Sequence, residues 1–436
     1  MKINHYYNLA KKKLFSINRS ITGAGVRKTL KIINKEFPKL KIKKIQCGEK
    51  VFDWKIPSEW NVSEAYIIDK NKKKIIDFKD NNLHLASYSI PVNKYFDKKE
   101  LFKHLHALPK QKNAIPYMTY YYKRNWGFCL SYIQKKKFDA KYRRNDKFKV
   151  VIKSNFNTRG FLNYGELVIQ GKSKKEILIS TYICHPSMAN NELSGPIVAM
   201  CLANYFSKHE KIDKTLRFLF IPETIGSIAY INKNLVNLKK RVIGGYLLSC
   251  IGDDKQHSCM LTKYSDTSSD RSLIEAYKKL KINYKIYSFL KRGSDERQYN
   301  SPGVDLPIAS IFRTKYGMYP EYHTSLDNFK LVTKKGIEGG FNVSKLAIKI
   351  LDKKINPKNK ILCEPKMSKR NLYNTSFEKK YSTNTYFKED NPSQFMNFLQ
   401  YSDGKNDLES ISLLIGLKLN IVKKIYNILK KHNLII

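Results

Sequence analysis

An α/β architecture is indicated by the segment Thr181-Tyr-Ile-Cys-His185-Pro-Ser-Met-Ala-Asn-Asn191-Glu192-Leu-Ser-Gly195. The apolar run Glu176-Ile-Leu-Ile-Ser-Thr-Tyr-Ile183 overlaps its start, and small residues continue from Ser194 to Ala203. This order predicts a buried strand, a polar turn and a helix. Open α/β sheets bind ligands at the carboxyl ends of strands, where His185 would lie. Imidazole and carboxylate groups are typical zinc ligands, although a lone histidine can simply cap a turn.

Two later segments repeat this pattern. The apolar run Phe218-Leu-Phe-Ile221 ends at Glu223, and Leu306-Pro-Ile-Ala-Ser-Ile-Phe-Arg313 precedes a loop that carries His323. Adjacent strands of a parallel sheet bring such ends together at one edge. The sequence therefore predicts that His185, Glu223 and His323 converge.

Seven short segments carry a family resemblance: Arg19–Gly23, Asp53–Trp60, Asn125–Cys129, Cys184–Ser187, Pro222–Ser227, Gly293–Gln298 and Tyr322–Ser325. In this order the chain resembles the zinc aminopeptidases with a phosphorylase/hydrolase-like fold, which use two adjacent zinc ions. It resembles more closely, over nearly its whole length, bacterial aminopeptidase-like proteins associated with surface-polysaccharide biosynthesis. The resemblance implies an α/β fold, with a mixed sheet and helices on both faces, an inserted β-rich domain and a C-terminal winged helix.

The chain departs from the two-zinc pattern at three positions. Asn191 stands where those enzymes have the bridging aspartate, and Thr224 stands where a glutamate binds the second zinc. Ser249 or Cys250 occupies the place of the other carboxylate. An amide oxygen is a weak, neutral zinc ligand. The resemblance therefore implies that the second zinc is lost.

The implied site holds one zinc ion through His185, Glu192 and His323, with water in the fourth position. Glu223 matches the general base, which would take a proton from water and return it to the leaving amine. In the alternative assignment, Glu223 is the third ligand, and Glu192 lies outside the ligands of the zinc ion or contacts the substrate amine.

Further residues are candidates for binding substrate. The segment Gly293–Gln298 resembles the substrate mouth of the aminopeptidases, where Arg297 would grip a carboxylate or phosphate and Asp295 would hold a ligand histidine or a substrate ammonium. A solvated turn with an internal ion pair is the alternative. Asn191 and Tyr322 complete the predicted substrate contacts.

The predicted function is hydrolysis of an amide in a peptide-like or amino-sugar small molecule, such as an amino-acylated or N-acylated sugar intermediate in polysaccharide synthesis. One alternative is a catalytically lapsed scaffold that binds carbohydrate or peptide. Another is a DNA-binding regulator with a core that senses a metabolite.

The predicted domains are a discontinuous catalytic domain over residues 1–50 and 153–360, an inserted β-rich domain over 51–152, and a winged-helix-like domain over 361–436. Runs such as His84–Pro91 and Phe128–Ile133 predict strands in the insertion. Its histidines, His84, His104 and His106, are either a metal site or ordinary capping and solvated residues.

Helical spacing over Asn391–Leu399, Asp407–Ile415 and Asn420–Lys431, followed by an apolar end at Leu434–Ile436, predicts the winged helix. The chain has 82 Lys and Arg against 37 Asp and Glu, a net charge of +45. Because the lysines are scattered along the whole sequence, drift in an AT-rich coding sequence explains them better than a nucleic-acid interface does. Winged helices also serve as partner or packing units.

Composition excludes some classes of protein. No run approaches the roughly 18 apolar residues that span a bilayer, and the start lacks the apolar stretch of a signal peptide. Seven widely spaced cysteines indicate neither a disulfide framework nor a thiolate zinc finger, and Cys184 and Cys250 are expected to pack as small apolar residues. We therefore expect a soluble, cytoplasmic protein without a membrane span, and a homo-oligomer is left open.

Overall fold

The computed structural model describes residues 2–209, 211–372 and 392–436. The chain divides into two compact units, Met1–Lys349 and Ile350–Ile436. In the described ranges the strands are β1 (Lys41–Gln46), β2 (Lys50–Val51), β3 (Trp54–Lys55), β4 (Glu59–Ile68), β5 (Lys74–Asp77), β6 (Val92–Asp97), β7 (Leu105–His106), β8 (Phe128–Cys129), β9 (Lys147–Asn157), β10 (Phe161–Ile169), β11 (Ser173–Tyr182), β12 (Lys214–Ile221), β13 (Val242–Leu248), β14 (Ser258–Met260), β15 (Lys285–Tyr287) and β16 (Ile308–Phe312).

The α-helices of the same ranges are α1 (Ile3–Leu9), α2 (Ala24–Glu36), α3 (Lys98–Phe102), α4 (Tyr132–Lys141), α5 (Ser194–Lys208), α6 (Ile225–Arg241), α7 (Ser268–Lys279), α8 (Glu296–Tyr299), α9 (Lys334–Lys353), α10 (Pro392–Gln400), α11 (Leu408–Leu414) and α12 (Leu419–Lys431). Two π-helical turns extend α-helices: Ala10–Leu14 directly follows α1, and Ala189–Leu193 directly precedes α5. None of the described helices has both the length and the apolar character needed to cross a membrane.

The larger sheet of the first unit has eight strands in the order β1-β10-β12-β11-β13-β16-β14-β15. Its central strands β12, β11, β13 and β16 run parallel. Strands β1 and β10 pair antiparallel with their neighbours, and β14 is antiparallel to β16 but parallel to β15. This mixed α/β sheet was predicted. Strand β11 is apolar without alternation because Ile177, Leu178 and Ile179 are all fully buried, as in a parallel strand covered on both faces.

The register aligns the carboxyl ends of the parallel strands. Tyr182 at the end of β11 lies opposite Ile221 at the end of β12, and Leu248 at the end of β13 lies opposite Ile311 of β16. The helix that follows β11 must approach these strands closely, since a Cβ on Gly195 would overlap the backbone of Leu248. Glycine is therefore required at this position. The residues after these strands share one edge of the sheet.

A second, antiparallel sheet has the order β5-β4-β9-β6. It lies in the part of the chain expected to be β-rich, although the predicted domain boundaries stay a prediction. Two strands predicted there form only in part. Of the run from His84 to Pro91, His84 ends a 3-10 turn capped by Asn81, and Leu85 and Ser87 make only isolated bridges. Of the run from Phe128 to Ile133, Phe128–Cys129 is strand β8, but helix α4 begins at Tyr132 because Ser131 and Gln134 form a capping box.

The second unit contains α10, α11 and α12, in the positions where helices were predicted, apart from Asn391, which lies outside the described residues. Its last residue pairs with an earlier extended segment, since the backbones of Lys358 and Ile436 exchange hydrogen bonds of 3.3 and 2.9 Å. Buried apolar side chains from all three helices form its own core, including Phe398, Ile411 and Leu429.

Candidate metal and substrate site

His185 follows β11 and is held by its Nδ1 atom. Nδ1 lies 2.9 Å from Glu192 Oε2, and the His185 carbonyl accepts a hydrogen bond of 3.0 Å from Arg19 Nε. When Glu192 is ionised beside Arg19, its carboxylate can only accept, and the neutral imidazole then carries its proton on Nδ1. The lone pair of Nε2 is then available for a ligand. Nε2 lies 3.6 Å from Oε2 of Glu223.

Glu192 also meets a buried cation. Arg19 Nε lies 3.3 Å from Glu192 Oε1, and both side chains are fully buried. Burial raises the pKa of the Glu192 carboxyl to about 8, and the charge of Arg19 opposes this rise. The arginine belongs to one of the family segments, but sequence analysis gave it no role. Arg19 and Glu192 are far apart in the sequence, so the residues around Arg19 do not indicate this contact.

The second imidazole, His323, lies beside the first. The ring centroids of His185 and His323 are 5.4 Å apart, and Tyr322 stacks on His323 with centroids 3.9 Å apart. The His323 backbone has a left-handed φ of 54°, which is costly for a non-glycine residue and often marks a functional site. Its Nε2 is buried and has no hydrogen-bond partner among the described residues.

Tyr117 of the loop between β7 and β8 contacts both histidines, and sequence analysis missed it. Its ring meets those of His185 and His323 edge-on, with centroids 5.3 and 5.2 Å away. Its amide donates to the carbonyl of His323 at 2.8 Å, and its hydroxyl forms a short hydrogen bond with that of Tyr121. The β-rich part of the chain thus supplies one wall of the site.

Glu223 follows β12, as predicted, and its surroundings are acidic. The Ser294 hydroxyl donates a short hydrogen bond to Oε1. Burial and then the charge of Asp295 raise the pKa of the Glu223 carboxyl to about 8, and Glu296 adds to the rise. Arg297 opposes this rise. The Oε2 atom faces His185.

Asp295 holds the turn that carries Thr224. It accepts hydrogen bonds from the Thr224 amide at 2.7 Å and from the Ser227 hydroxyl at 2.8 Å. Thr224 has a left-handed φ of 63°, so this turn is strained. Arg297 donates to the Thr224 hydroxyl at 2.9 Å on the exposed side.

Asn191 lies in the π-helical turn before α5, a kind of distortion that often occurs at functional sites. Its Oδ1 accepts a hydrogen bond of 3.1 Å from the Tyr182 hydroxyl. Asp327, a second residue that sequence analysis missed, holds the turn by accepting from the amides of Ala189, Asn190 and Asn191 at 3.1, 2.5 and 2.9 Å.

The positions that the resemblance aligns with ligands of a second zinc carry no charge. Thr224 and Ser249 are neutral, and the Ser249 hydroxyl is buried without a partner in the described part of the chain. Burial raises the pKa of the Cys250 thiol, so it stays protonated. These side chains do not suit a second dication.

Among the described residues, one group of donors near His185 lies close enough together to hold a metal ion. Ligand atoms of Cys184, His185 and Glu192 lie within 4.8 Å of one another. However, burial raises the pKa of the Cys184 thiol, and the Arg19 charge beside Glu192 would repel a dication. The Nε2 atoms of His185 and His323 with the Glu223 carboxylate are spread more widely. They are nevertheless the better donors chemically, because they include a buried nitrogen without a hydrogen-bond partner and a carboxylate without a lysine or arginine ion pair in the described residues.

The other histidines named as a possible metal site have protein partners. His84 Nδ1 lies 2.7 Å from the carbonyl of Cys129, His104 stacks on Trp126 at 3.8 Å, and His106 Nε2 lies 2.8 Å from the Tyr120 hydroxyl. These contacts give them structural roles.

Comparison with known proteins places the chain in a family. Residues 7–354 match a family described as a domain of unknown function, DUF4910, and residues 355–436 match a winged helix-turn-helix. A Clostridium acetobutylicum protein, whose name proposes polysaccharide biosynthesis and an aminopeptidase-like domain, is 40% identical over 422 residues, which is 96% of this chain and 92% of the relative.

Solved structures agree with this relationship. A Clostridium acetobutylicum structure whose name proposes a peptidase is 38% identical with a TM-score of 0.78, covering 100% of this chain and 96% of that one. The zinc aminopeptidase BSAP of Bacillus subtilis shares the fold at 13% identity, with a TM-score of 0.57 over 79% of this chain and 94% of that one. The chain therefore belongs to the DUF4910 family and combines an aminopeptidase-like fold with a C-terminal winged helix-turn-helix.

Proposed function

We propose that this protein hydrolyses amide bonds with the help of one zinc ion, held by Nε2 of His185, Nε2 of His323 and the carboxylate of Glu223. The buried Nε2 of His323, which has no partner among the described residues, carries the proposal. A buried polar atom without a partner calls for a ligand. Two imidazoles and one carboxylate form a common catalytic zinc site, and zinc held there would polarise an amide carbonyl and acidify water.

In this proposal Glu192 does not bind zinc, the role predicted from the sequence, but supports a histidine that does. Both of its oxygens face other groups, since Oε2 lies 2.9 Å from His185 Nδ1 and Oε1 lies 3.3 Å from Arg19 Nε. A carboxylate on the far nitrogen fixes the orientation of a ligand histidine and increases its basicity. Glu192 thus supports His185.

Glu223 was predicted to be the general base, and its contacts support a place beside the metal. Ser294 donates to Oε1, so Oε2 is directed toward His185 at 3.6 Å from Nε2. Zinc content distinguishes Glu223 as a ligand from Glu223 as the general base. Replacement by glutamine removes zinc if Glu223 is a ligand, and removes only turnover if it is the base.

The proposed substrate is an amino-acylated or N-acylated sugar. The name of the Clostridium acetobutylicum relative, which proposes polysaccharide biosynthesis, supports this choice. Arg297 is partly exposed beside Thr224 and would bind an anionic group of the substrate. Tyr322, which stacks on His323, and Asn191, in the turn before α5, are the other proposed contacts.

Zinc content tests the metal site directly. After equilibration with zinc and dialysis, mass spectrometry of the full chain should find about one ion per chain. His185→Ala, His323→Ala and Glu223→Gln should lose it. Glu192→Gln should weaken zinc binding roughly 10- to 100-fold. His5→Ala is the matched control, because His5 pairs with Glu36 outside the site.

Hydrolysis of aminoacyl p-nitroanilides and of N-acetylated hexosamines tests the reaction. Zinc-dependent turnover that His323→Ala abolishes would support the proposal. A wild-type chain that binds no zinc overturns it and favours the lapsed binding protein. Zinc retained in Glu223→Gln with turnover lost would restore Glu223 to the role of base.

A further inference from the structure

A cavity of about 410 Å³ lies outside the group of site residues described above. Its lining comes from the segments around Lys55, Tyr88, Tyr121 and Phe156. None of the described residues that line it is acidic. A cavity of this volume is large enough to hold one or two sugar rings, and its lining differs from the acidic surroundings of Glu223.

The floor of the cavity is aromatic and fixed. The Tyr88 ring packs edge-on against Tyr121, with centroids 5.2 Å apart, and against Phe156 at 5.9 Å. Its hydroxyl is 2.6 Å from the Thr22 hydroxyl and donates to the Ser58 carbonyl at 3.0 Å. Tyr88 has a left-handed φ of 64°, a strained conformation that tends to be kept for function.

The mouth of the cavity exposes further rings. Tyr122 is 59% exposed and packs edge-on against Trp54, which is 40% exposed, with centroids 5.5 Å apart. Large aromatic side chains that remain open to solvent are common in binding surfaces, because one ligand can meet both their apolar faces and their polar tips.

Three cations, Lys55, Lys123 and Arg124, surround the same cavity. Within the described part of the chain, none of them makes an ion pair. Unpaired lysines are ordinary in a chain with a net charge of +45, so exposure alone indicates nothing. The informative observation is that three cations meet at one aromatic cavity without a carboxylate in its lining, which suits an anion.

Tyr121 connects the cavity to the proposed active site. It lines the cavity, and its hydroxyl bonds to that of Tyr117, whose ring contacts both imidazoles. The cavity and the histidine pair are therefore separated by one pair of tyrosines. A molecule held in the cavity would lie beside the proposed site.

We propose that this cavity binds a sugar ring that carries a carboxylate or a phosphate. The ring packs on Tyr122, and the anionic group lies among Lys55, Lys123 and Arg124, whose guanidinium lies over the Phe156 ring at 5.6 Å. The inference rests on the proposed function in one respect. If the protein hydrolyses an amide, the anionic sugar in the cavity is the part of the substrate that lies away from the cleaved bond.

Calorimetric titration of the full chain tests binding with four probes: glucuronic acid, glucose 1-phosphate, glucose and inorganic phosphate. The two anionic sugars separate a carboxylate from a phosphate as the preferred charge. At least one of them should bind roughly tenfold more tightly than glucose or phosphate alone, which is the effect of one good charged hydrogen bond. Equal affinity for glucose and both charged sugars, or no binding of any sugar, overturns the inference.

Variants assign the binding to the cavity. Arg124→Gln and Tyr122→Ala should each weaken binding roughly fivefold or more. Arg144→Gln, an exposed arginine that does not line the cavity, should leave it unchanged. Similar effects of Arg124→Gln and Arg144→Gln would mean that the anion is attracted by net charge alone, and would overturn the site.

Failure of this inference can be distinguished from failure of the proposed hydrolase. Glu223→Gln should lose zinc and turnover but keep the sugar affinity of the wild type. Sugar binding that depends on Arg124, without any hydrolysis, would support the cavity as a binding site and contradict the proposed hydrolase. Hydrolysis of an N-acylated hexosamine that also carries a carboxylate or a phosphate, with unchanged KM in Arg124→Gln, would show that the cavity is not part of the substrate site.

Discussion

Two carboxylates approach the imidazole of His185, and their surroundings differ in sign. Glu192 lies 3.3 Å from the buried guanidinium of Arg19, whereas Glu223 has a neutral donor in Ser294 and acidic side chains nearby. The negative charge of Glu192 is balanced inside the protein. Glu223 has no lysine or arginine ion pair among the described residues, since Arg297 only opposes the effect of Asp295 and Glu296, so a cation from outside would favour its charged form.

This difference separates a supporting residue from a reactive one. A buried ion pair is costly to break, because the remaining charge loses its partner without regaining water. A carboxylate that acidic neighbours destabilise can instead be removed at little cost to the fold. Stability should therefore fall more when Glu192 is changed, and zinc affinity should fall more when Glu223 is changed.

The largest expected effect on stability is that of Arg19→Ala. This change leaves Glu192 buried without its cation and should lower the free energy of unfolding by about 3–5 kcal/mol. Chemical unfolding of the full chain measures the change. Arg297→Ala removes an exposed arginine with one hydrogen bond to Thr224 and should change stability by no more than about 0.5 kcal/mol. An equal effect of the two variants would show that the buried pair contributes little.

The direct comparison is Glu192→Gln against Glu223→Gln. The first keeps an acceptor for His185 but leaves Arg19 uncompensated, so it should cost about 2–4 kcal/mol. The second removes a carboxylate with acidic neighbours and should change stability by less than about 1 kcal/mol. Thermal and chemical unfolding of both proteins without metal measures this. A larger loss in Glu223→Gln would contradict the assignment of the balanced charge to Glu192.

Sequence patterns were sufficient for the parts of this site that follow strand ends. Periodicity and order along the chain predicted the strands before His185 and Glu223, and the register then brings their ends level. The family resemblance, confirmed by the 40% identical relative, gave the fold and the winged helix. The proposed ligands were named from the same segments.

The supporting residues could not be predicted in this way. The Arg19 contact with His185 joins residues 166 positions apart, and that of Asp327 with Ala189 joins residues 138 apart. No local period encodes such contacts. The early end of the strand that starts at Phe128 has another cause, since the capping box at Ser131 outweighed the apolar, β-prone residues after it.

Asp327→Asn examines the turn that carries Glu192 into contact with Arg19. Its carboxylate accepts three backbone amides and the Tyr319 hydroxyl, which lies 3.0 Å from Oδ2. An amide group cannot accept at both ends, so at least one buried donor loses its partner, at about 1–3 kcal/mol. Chemical unfolding measures the loss. The exposed Asp254→Asn is the control, and equal stability of both variants would refute the role of Asp327.

Tyr117→Phe should have the smallest effect. It tests whether the Tyr117 hydroxyl, on the neutral wall of the site, helps to orient the histidines as Glu192 does. The change removes the hydroxyl that meets Tyr121 but keeps the ring, whose edge packs on both imidazoles. Stability should fall by about 1 kcal/mol, because one buried hydroxyl loses its partner. Zinc affinity, measured by competition with a chelator, should stay within about threefold, under 1 kcal/mol. A tenfold loss would mean that the hydroxyl pair, and not only the ring, orients the histidines. The orientation of the histidines would then depend on the hydrogen bond between Tyr117 and Tyr121 as well as on the carboxylates.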